Sequence, residues 1–371
     1  MIIGVDASRA NRKKKTGVEW YAYYLIEELK KITADNENQF FLYTDKPLRG
    51  ELARLPKNWQ EKILRWPPRY LWTKLRFSWE MLRRKIDILF IPSHVMPSFS
   101  PKKTVMTVHD LGYERYPEAY SKFARRYLRK SYCRAVHRAA QIIVPTEFTK
   151  KELITLYNAQ SEKIEVVNLA FDNNVFKPIV DQEKINKTLE RYKIKKPFLL
   201  YVGRLETKKG LQTLLKSFKE LGITNNKLSL ALIGGKGFGY KKIKPMINNS
   251  KLMIHELGHL QSDEDRSIFY SNAEVFIFPS LYEGFGIPIL EAMACGCPVI
   301  ASNIEALKEV GEESVLFFKV DNSEDLTEKT KEVLENQELR QKMIASGLER
   351  VKNFSWHACA KKTLEILVYD L

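Results

Sequence analysis

The sequence of 371 residues lacks an apolar run long enough to cross a membrane, which would need about 18 or more consecutive apolar residues. Its start, M-I-I-G-V-D, has neither a basic region nor a cleavage-site pattern, so we expect no targeting signal. The four cysteines are too few and too scattered for a disulfide framework, and Cys295 and Cys297 do not have zinc-knuckle spacing. We therefore expect a cytoplasmic protein without a structural metal.

The composition is that of a folded globular protein. Hydrophobic residues make up 44% of the chain and charged residues 29%, and the length exceeds that of one ordinary core, so we expect two domains. Apolar runs alternate with helix-period segments in both halves, which predicts two Rossmann-like α/β domains with parallel sheets. The predicted strands are Ile2–Val5, Gln39–Tyr43, Ile86–Ile91, Lys103–Val108, Gln141–Val144, Phe198–Val202, Ser229–Ile233, Met253–Glu256, Val275–Phe278 and Pro298–Ala301. The predicted helices are Val18–Lys31, Lys122–Ala140, Thr149–Leu156, Gly210–Leu221, Asp263–Asn272, Pro288–Ala294 and a segment near Asp325–Phe354.

The boundary between the domains is predicted in the stretch N-L-A-F-D-N-N-V-F-K-P at Asn168–Pro178, which has turn residues and no period. The N-terminal domain would span residues 1–172 and the C-terminal domain residues 173–355. Residues 356–371 form a predicted terminal helix with one apolar face, which could pack back on the N-terminal domain or on the other one.

The positive charge is confined to one half of the chain. Residues 1–180 hold 33 Lys and Arg against 19 Asp and Glu, whereas residues 181–371 hold 28 against 26. A basic half suggests a partner of its own, either nucleic acid or an anionic membrane surface. Because the sequence has no zinc-finger, RNP-type or basic-zipper pattern, we expect no nucleic-acid partner.

The most informative stretch is F-P-S-L-Y-E-G-F-G-I-P-I-L-E-A-M-A-C-G-C-P-V-I-A-S-N at Phe278–Asn303. It predicts a buried strand, a glycine-rich loop, a short helix and a second strand. Gly284 and Gly286 would let a ligand approach the backbone, and the amides of the helix start suit a diphosphate. Glu283 before the helix and Glu291 within it could accept hydrogen bonds from sugar hydroxyls. From the spacing alone, two surface glutamates beside an ordinary turn would fit equally well.

A second loop, Y-V-G-R-L-E-T-K-K-G at Tyr201–Gly210, follows an apolar strand. Arg204 and Lys209 flank this loop, and two cations at a strand end could hold a diphosphate and stabilise it as it leaves. Taken alone, the loop would also fit a solvated basic turn.

With its flanks, the Phe278–Asn303 stretch resembles the E-x7-E motif of family 4 glycosyltransferases, which have the GT-B fold. The resemblance implies that Glu291 binds the ribose hydroxyls of a nucleotide-sugar donor and that Glu283 lies by the donor hexose. The backbone positions that it places at the sugar or phosphates are Phe285, Gly286 and Ile287, and Gly284 joins the predicted donor site as a glycine of the same loop.

Three further segments resemble motifs of the same family. G-R-x4-K-G is similar to its phosphate-binding motif, which implies a donor site at Gly203, Arg204 and Lys209. T-V-H-D follows a strand and resembles the family's H-D motif, whose histidine, here His109 beside Asp110, reaches the transferred sugar; a lone histidine there is otherwise structural. T-G at positions 16–17 resembles the glycine-bearing first loop, although Gly17 is the single glycine there.

The resemblance implies a retaining glycosyltransferase whose C-terminal domain holds the donor and whose basic N-terminal domain holds the acceptor, with catalysis in the cleft between them. The acceptor would attack from the front face while the leaving diphosphate, stabilised by Arg204 and Lys209, helps to remove its proton. His109, Asp110 and Glu283 complete the catalytic candidates. We expect neither a cofactor nor a metal, since cations and a helix N-terminus supply the electrostatic stabilisation.

GDP-mannose is the favoured donor by resemblance to bacterial mannosyltransferases of surface-polysaccharide assembly, with a UDP-sugar as the alternative, and the expected acceptor is a glycan or a lipid-linked glycan. An epimerase or phosphorylase could share the fold, because fold does not fix function. A phosphorylase would need a pyridoxal-phosphate lysine, which the sequence does not identify. A basic nucleic-acid-binding protein would leave the E-x7-E stretch unexplained.

The segment Lys57–Lys85 is both basic and aromatic. It holds nine Lys and Arg against two Asp and Glu, together with Tyr70, Phe77 and four of the six tryptophans, which are Trp59, Trp66, Trp72 and Trp79. Interfacial segments combine aromatic anchors with cations in this way, which would place the protein peripherally on the inner face of the cell membrane. A helical pair with core aromatics and solvated charges is the alternative, and Pro67 and Pro68 interrupt any single long helix.

Overall fold

The computed structural model of the chain describes residues 1–66, 71–93, 95–224, 227–248 and 252–369. It contains two compact units. The first consists of Met1–Glu114, Ser121–Leu169 and Phe354–Leu371, and the second of Arg115–Tyr120 and Ala170–Asn353. Six residues from the middle of the first unit's sequence therefore belong to the second.

The first unit is built on a seven-stranded sheet. Its strands are β1 (Ile2–Asp6), β2 (Gln39–Thr44), β3 (Trp59–Ile63), β4 (Ile88–Ile91), β5 (Lys103–Thr107), β6 (Gln141–Val144) and β7 (Ile164–Val166). They pair in parallel in the order β3-β2-β1-β4-β5-β6-β7. Every residue of β4 is buried, as expected of a strand covered on both faces.

The second unit repeats this plan with six parallel strands. They are β8 (Phe198–Val202), β9 (Ser229–Ile233), β10 (Ile254–Gly258), β11 (Val275–Phe278), β12 (Val299–Ser302) and β13 (Leu316–Phe318). Their order is β10-β9-β8-β11-β12-β13, so the direction of winding reverses between β8 and β11. Ligands of doubly wound sheets bind beside such a reversal, at the carboxyl ends of the strands.

Helices connect the strands of both sheets. They are α1 (Gly17–Ile32), α2 (Ser78–Arg83), α3 (Gly112–Arg115), α4 (Lys122–Arg138), α5 (Glu147–Tyr157), α6 (Gln182–Arg191), α7 (Leu211–Thr224), α8 (Tyr240–Asn248), α9 (Asp263–Asn272), α10 (Ile287–Ala294), α11 (Glu305–Gly311), α12 (Ser323–Glu335), α13 (Gln337–Arg350) and α14 (Trp356–Val368). A π-helical segment, Thr73–Phe77, runs into α2. Short 3₁₀ turns occur at Gly50–Ala53, Pro117–Ala119, Ser161–Lys163, Thr207–Lys209, Glu312–Ser314 and Val351–Asn353. None of the described helices combines the length and the apolar character that a membrane span requires.

Several helices begin where the sequence supplies a capping side chain. The residues whose side-chain oxygen accepts a hydrogen bond from a first-turn amide are Ser121, Thr146, Asp181, Ser262, Asn322, Asn336 and Ser355. These caps satisfy backbone donors that have no partner within the helix. The cap at Asn336 separates α12 from α13, so the helical segment expected near Asp325–Phe354 is two helices.

The terminal helix α14 lies in the first unit, against α1. The ring of Trp356 stacks on that of Tyr24 with 5.4 Å between centroids, and His357 lies 3.2 Å from a carboxylate oxygen of Glu28. The apolar face of α14 also brings buried Cys359 into this core.

The basic and aromatic segment Lys57–Lys85 is not a helical pair. It contains the edge strand β3, and two of its tryptophans are core residues. Trp59 stacks on Phe40 with 4.3 Å between centroids, and the Trp72 indole N–H donates to the Leu64 carbonyl over 2.8 Å. The interfacial interpretation is therefore wrong for these two tryptophans. Pro67, Pro68 and Tyr70, which also entered that interpretation, lie outside the described residues.

Candidate active site

The two motif loops of the second unit follow neighbouring strands. The loop with Arg204 and Lys209 follows β8, and the loop with Glu283 follows β11. Because these strands pair in parallel where the winding reverses, their carboxyl ends lie side by side. The sheet thus brings together Lys209 and Glu283, which are 74 positions apart in the sequence.

The backbones of these two loops are in direct contact. The amide of Leu281 donates a hydrogen bond of 3.0 Å to the carbonyl of Lys208. Gly210 has a φ of +65°, and a Cβ atom there would lie 1.8 Å from the carbonyl oxygen of Pro279. Only glycine fits this conformation and this space, so Gly210 sets the distance between the loops.

Within this contact, Lys209 and Glu283 form an ion pair. The Lys209 Nζ lies 2.5 Å from Oε1 of Glu283, and the two side chains keep 17% and 13% of their exposure. The hydroxyl of Ser280 donates to the same oxygen over 2.6 Å. Since an ammonium group has three N–H donors, one bond to Glu283 leaves two for a further anion. A cation and a carboxylate are therefore held side by side at the edge of the sheet.

Arg204 is more open than Lys209. Its guanidinium lies 2.9 Å from Glu206, and 57% of its side chain is exposed. Its backbone is fixed, because its carbonyl accepts a hydrogen bond of 2.9 Å from the buried Tyr201 hydroxyl. The Gly203 amide donates to the carbonyl of Ile233 over 2.9 Å, which ties the strand end to β9. Arg204 thus has an anchored backbone and a side chain with room to reorient.

The helix start after Glu283 presents backbone amides. Gly286 is the N-cap of α10 with a φ of +109°, in the left-handed region that favours glycine. The helix begins at Ile287, so Pro288 is its second residue and not its first. Pro288 has no N–H, and the Ile289 amide donates to the Gly286 carbonyl over 3.0 Å, so the amide that this first turn offers to a ligand is that of Ile287. The Phe285 side chain, between Gly284 and Gly286 in the sequence, is buried.

Glu291 is a buried carboxylate on α10, with 7% of its surface exposed. The Tyr270 hydroxyl donates to its Oε2 over 3.0 Å, and Arg266 lies 3.6 Å from the same oxygen. Burial raises the pKa of Glu291, whereas the guanidinium and the tyrosine hydroxyl oppose that rise by stabilising the charged form. Glu291 is therefore a carboxylate whose charge depends on its two neighbours.

Tyr270 and Arg266 were not predicted from the sequence. They lie one turn apart on α9, and Arg266 also pairs with Asp263 at 2.9 Å and lies 5.0 Å from the Phe176 ring. Their segment, D-E-D-R-S-I-F-Y, has the ordinary pattern of a half-buried helix and gives no signal of a site. Their relation to Glu291 arises only from the packing of α9 against α10.

The first unit contains the predicted residues His109, Asp110 and Gly17. The His109 Nε2 lies 3.3 Å from the carbonyl of Pro92, and the Tyr21 ring meets the imidazole edge-on at 4.7 Å. Burial lowers the pKa of His109, so the ring is neutral at neutral pH. Gly17 lies one turn before Tyr21 on α1, which places it in the same region of the unit.

Asp110 and Gly17 have different local environments. One carboxylate oxygen of Asp110 accepts a 2.8 Å hydrogen bond from the amide of Gly112, which opens α3, so this side chain shapes the backbone. A Cβ atom at Gly17 would meet no atom within 4 Å, so packing does not require glycine there. The capping box between Thr16 and Glu19 sets the start of α1 beside it.

No group of three His, Cys, Asp or Glu side chains within the described ranges could hold a metal ion. The four cysteines are unpaired. Burial raises the pKa of the Cys295 thiol to about 12, so it is a protonated core residue at neutral pH.

Comparison with known proteins relates both units to glycosyltransferases. The family model "Glycosyl transferases group 1" matches residues 181–350, and the model "Glycosyltransferase Family 4" matches residues 15–174. O-antigen chain mannosyltransferase B of Escherichia coli is 30% identical over 293 residues, which cover 78% of this chain and 76% of that protein.

Solved structures show the same fold. Sucrose-phosphate synthase of Thermosynechococcus elongatus has a TM-score of 0.76 at 20% identity, over 99% of this chain and 98% of that one. HepE of Anabaena, in complex with UDP and glucose, has a TM-score of 0.75 at 17% identity, over 100% and 99%. The seven- and six-stranded parallel sheets are those of the GT-B fold. The chain therefore belongs to glycosyltransferase family 4 and is a glycosyltransferase of GT-B fold.

Proposed function

We propose that this glycosyltransferase moves mannose from GDP-mannose onto a glycan or lipid-linked glycan acceptor in the assembly of a surface polysaccharide. The similarity to an O-antigen mannosyltransferase over three quarters of its length supports the sugar and the pathway class. The observation that carries the nucleotide-sugar donor is the Lys209–Glu283 ion pair beside the N-terminus of α10. It offers a cation and the positive end of a helix for a diphosphate, next to a carboxylate for a sugar.

In this proposal the side chains of the second unit described above each bind a particular part of the nucleotide-sugar donor. Lys209 uses its remaining N–H donors on the diphosphate, and the exposed side chain of Arg204 turns from Glu206 toward the same charge. Glu283 accepts a hydrogen bond from a hexose hydroxyl. Glu291 accepts bonds from the ribose hydroxyls, with Tyr270 and Arg266 keeping it charged.

The proposed reaction retains the anomeric configuration. The bond between the anomeric carbon and the donor phosphate oxygen breaks, and the acceptor oxygen bonds to the same face of that carbon. The proton of the acceptor hydroxyl passes to the leaving phosphate oxygen, so the products are GDP and the new glycoside. Arg204 and Lys209 stabilise the negative charge that develops on the diphosphate, which removes the need for a divalent metal.

The family resemblance supports His109, whose imidazole is neutral, as a residue that contacts the transferred sugar, and Gly17 as a donor-binding residue. The same basic unit would hold the acceptor. Since a lipid-linked acceptor is anchored in the cell membrane, we place the enzyme at the inner face of that membrane. A UDP-sugar is the alternative donor.

The test is nucleotide release from GDP-mannose and from a set of UDP-sugars, with and without a lipid-linked acceptor and with a metal chelator. We expect release of GDP that depends on the acceptor, persists with chelator and yields an α-mannoside. Interconversion of the nucleotide-sugar without release would show an epimerase, and a requirement for inorganic phosphate would show a phosphorylase. Loss of transfer on chelation would contradict the metal-free mechanism.

A further inference from the structure

A group of exposed apolar side chains lies on the first unit, away from its core. Leu75, Trp79, Leu82 and Phe99 are 49%, 56%, 59% and 52% exposed. They line one groove of about 560 Å³, together with Trp66. Leu75, Trp79 and Leu82 follow helical spacing along Thr73–Phe77 and α2, which places them on one face. We refer to Leu75, Trp79, Leu82 and Phe99 as the apolar patch.

The surroundings of the apolar patch are strongly basic. Lys74 lines the same groove, and burial with the charges of Arg134 and Lys130 lowers its pKa. These two residues lie on α4, whose 17 residues include seven Lys and Arg and no Asp or Glu. The carboxylate of Glu80 lies between Arg76 and Arg84, at 3.0 and 2.6 Å, so these three side chains together keep one net positive charge.

The apolar surface continues onto α4. Lys74 Nζ lies 4.2 Å from the centre of the Tyr127 ring, and Phe123, which is 78% exposed, stacks on Tyr127 at 6.2 Å. Aromatic and aliphatic side chains thus alternate with cations across two elements. Monomeric proteins seldom expose large apolar patches, and those that occur mark interaction sites.

We propose that the apolar patch and the cations around it dock the enzyme on an anionic lipid bilayer. The membrane is the one in which the proposed lipid-linked acceptor lies, so the biological meaning of the docking rests on the proposed function. A bilayer accepts both parts of this surface, because apolar side chains enter the headgroup boundary while cations meet lipid phosphates. Nucleic acid would use the cations, but Leu75 and Leu82 have no ring to stack on bases.

The tryptophan to replace in a test of docking is Trp79, not Trp59 or Trp72. Trp59 and Trp72 are core residues with hydrogen-bonded indoles, so their replacement would damage the fold. Trp79 is exposed and lies at the centre of the patch. Its replacement tests docking with little change in the core.

Co-sedimentation of the whole protein with vesicles of phosphatidylcholine alone, or mixed with phosphatidylglycerol, measures docking across salt concentration. We expect binding that needs phosphatidylglycerol and weakens with salt. Replacing Lys74, Lys130 and Arg134 by Gln should lower partitioning roughly a hundredfold, at about fivefold for each cation near the surface. The matched control replaces exposed Lys187, Lys216 and Lys219 of the second unit by Gln, which removes the same charge and should leave partitioning nearly unchanged.

The apolar part is tested separately. Trp79→Ser with Leu75→Ser should reduce the binding that remains at high salt about tenfold, whereas Val180→Ser, at an 82% exposed apolar residue of the second unit, should not. Equal binding of wild-type protein to neutral and anionic vesicles, no binding at low salt, or tighter binding to an RNA or DNA oligonucleotide would overturn the proposal.

Donor turnover with a short soluble acceptor, measured on the same variants, separates the proposed transferase function from the proposed docking. Intact turnover with failed vesicle binding rejects the docking alone.

Discussion

The hydroxyl of Tyr270 donates a hydrogen bond of 3.0 Å to Oε2 of Glu291. This contact joins α9 to the E-x7-E helix and supports the charge of a carboxylate that burial would otherwise neutralise. If Glu291 binds the donor ribose, Tyr270 is a positioning residue that acts through it. The relationship gives a prediction with a pH signature.

Tyr270→Phe should weaken GDP binding about tenfold at neutral pH, since hydrogen bonds to charged groups contribute about 1.5–3 kcal/mol. Glu291 accepts hydrogen bonds from ribose hydroxyls best when it is charged, so the affinity for GDP should fall as the pH falls through the raised pKa of Glu291. Removing the Tyr270 hydroxyl raises the pKa of Glu291 further. The decline in GDP affinity should therefore begin at a higher pH in Tyr270→Phe than in wild type. Calorimetric titration across pH measures this. Parallel pH profiles for the two proteins would contradict it.

Glu291→Gln and Glu283→Gln should separate binding from transfer. Glu291→Gln should weaken GDP binding because the amide oxygen of glutamine accepts hydrogen bonds from the ribose hydroxyls less strongly than a carboxylate does. Glu283→Gln should leave GDP affinity within a few-fold of wild type and reduce transfer, because its expected contact is with the hexose. Titration with GDP alone and turnover of GDP-mannose give the two readouts. Equal loss of GDP affinity in both variants would end this division of roles.

Lys209→Ala and Arg204→Ala should each reduce turnover by about a hundredfold or more, since loss of one donor to a developing anion costs about 2.7–4 kcal/mol. Lys209→Ala also leaves Glu283 without its ion-pair partner, which would destabilise the loop. The double variant with Glu283→Gln removes that unpaired charge, so it should recover the unfolding free energy without recovering turnover, and denaturant unfolding of the two variants separates loop damage from the loss of the cation. Turnover within a few-fold of wild type in folded Arg204→Ala would disprove its phosphate role.

Gly17→Ala and Gly210→Ala form a pair with opposite consequences for the fold. At Gly210 the left-handed backbone and the Pro279 carbonyl exclude a Cβ atom, so this variant should lose about 2–3 kcal/mol of unfolding free energy. At Gly17 the space is open, so stability should stay within about 0.5 kcal/mol. Denaturant unfolding checks both. A loss of donor turnover in stable Gly17→Ala would then report on the ligand site.

The central strands were predictable because a short run of consecutive apolar residues, as in β4 and β11, is typical of a buried strand. The edge strands β3, β7 and β13 were missed. β3 reads W-Q-E-K-I, and its three consecutive polar residues, of which Gln60 is exposed and Glu61 and Lys62 are half-buried, resemble part of a basic loop. β7 and β13 have only three residues each, too few for a period.

The motif residues were predictable from the sequence, but the contacts that position them were not. Local spacing identifies Lys209 and Glu283, but their ion pair depends on the pairing of β8 with β11. The contribution of Tyr270 depends on the packing of two helices, and no local pattern records it. The burial of Trp72 likewise follows from its bond to Leu64 and its stacking on Phe77, which are tertiary contacts. The sequence therefore identifies the residues expected to bind the donor more readily than the residues that position them.

The most direct test of the proposed function is release of nucleoside diphosphate by the purified enzyme, with GDP-mannose and UDP-sugars compared in the presence and absence of a lipid-linked acceptor. We expect GDP release that requires the acceptor, with a mannosylated product in mass spectrometry and an α-anomeric signal in the NMR spectrum. Acceptor-independent conversion of the nucleotide-sugar, or an inverted β-mannoside, would contradict it.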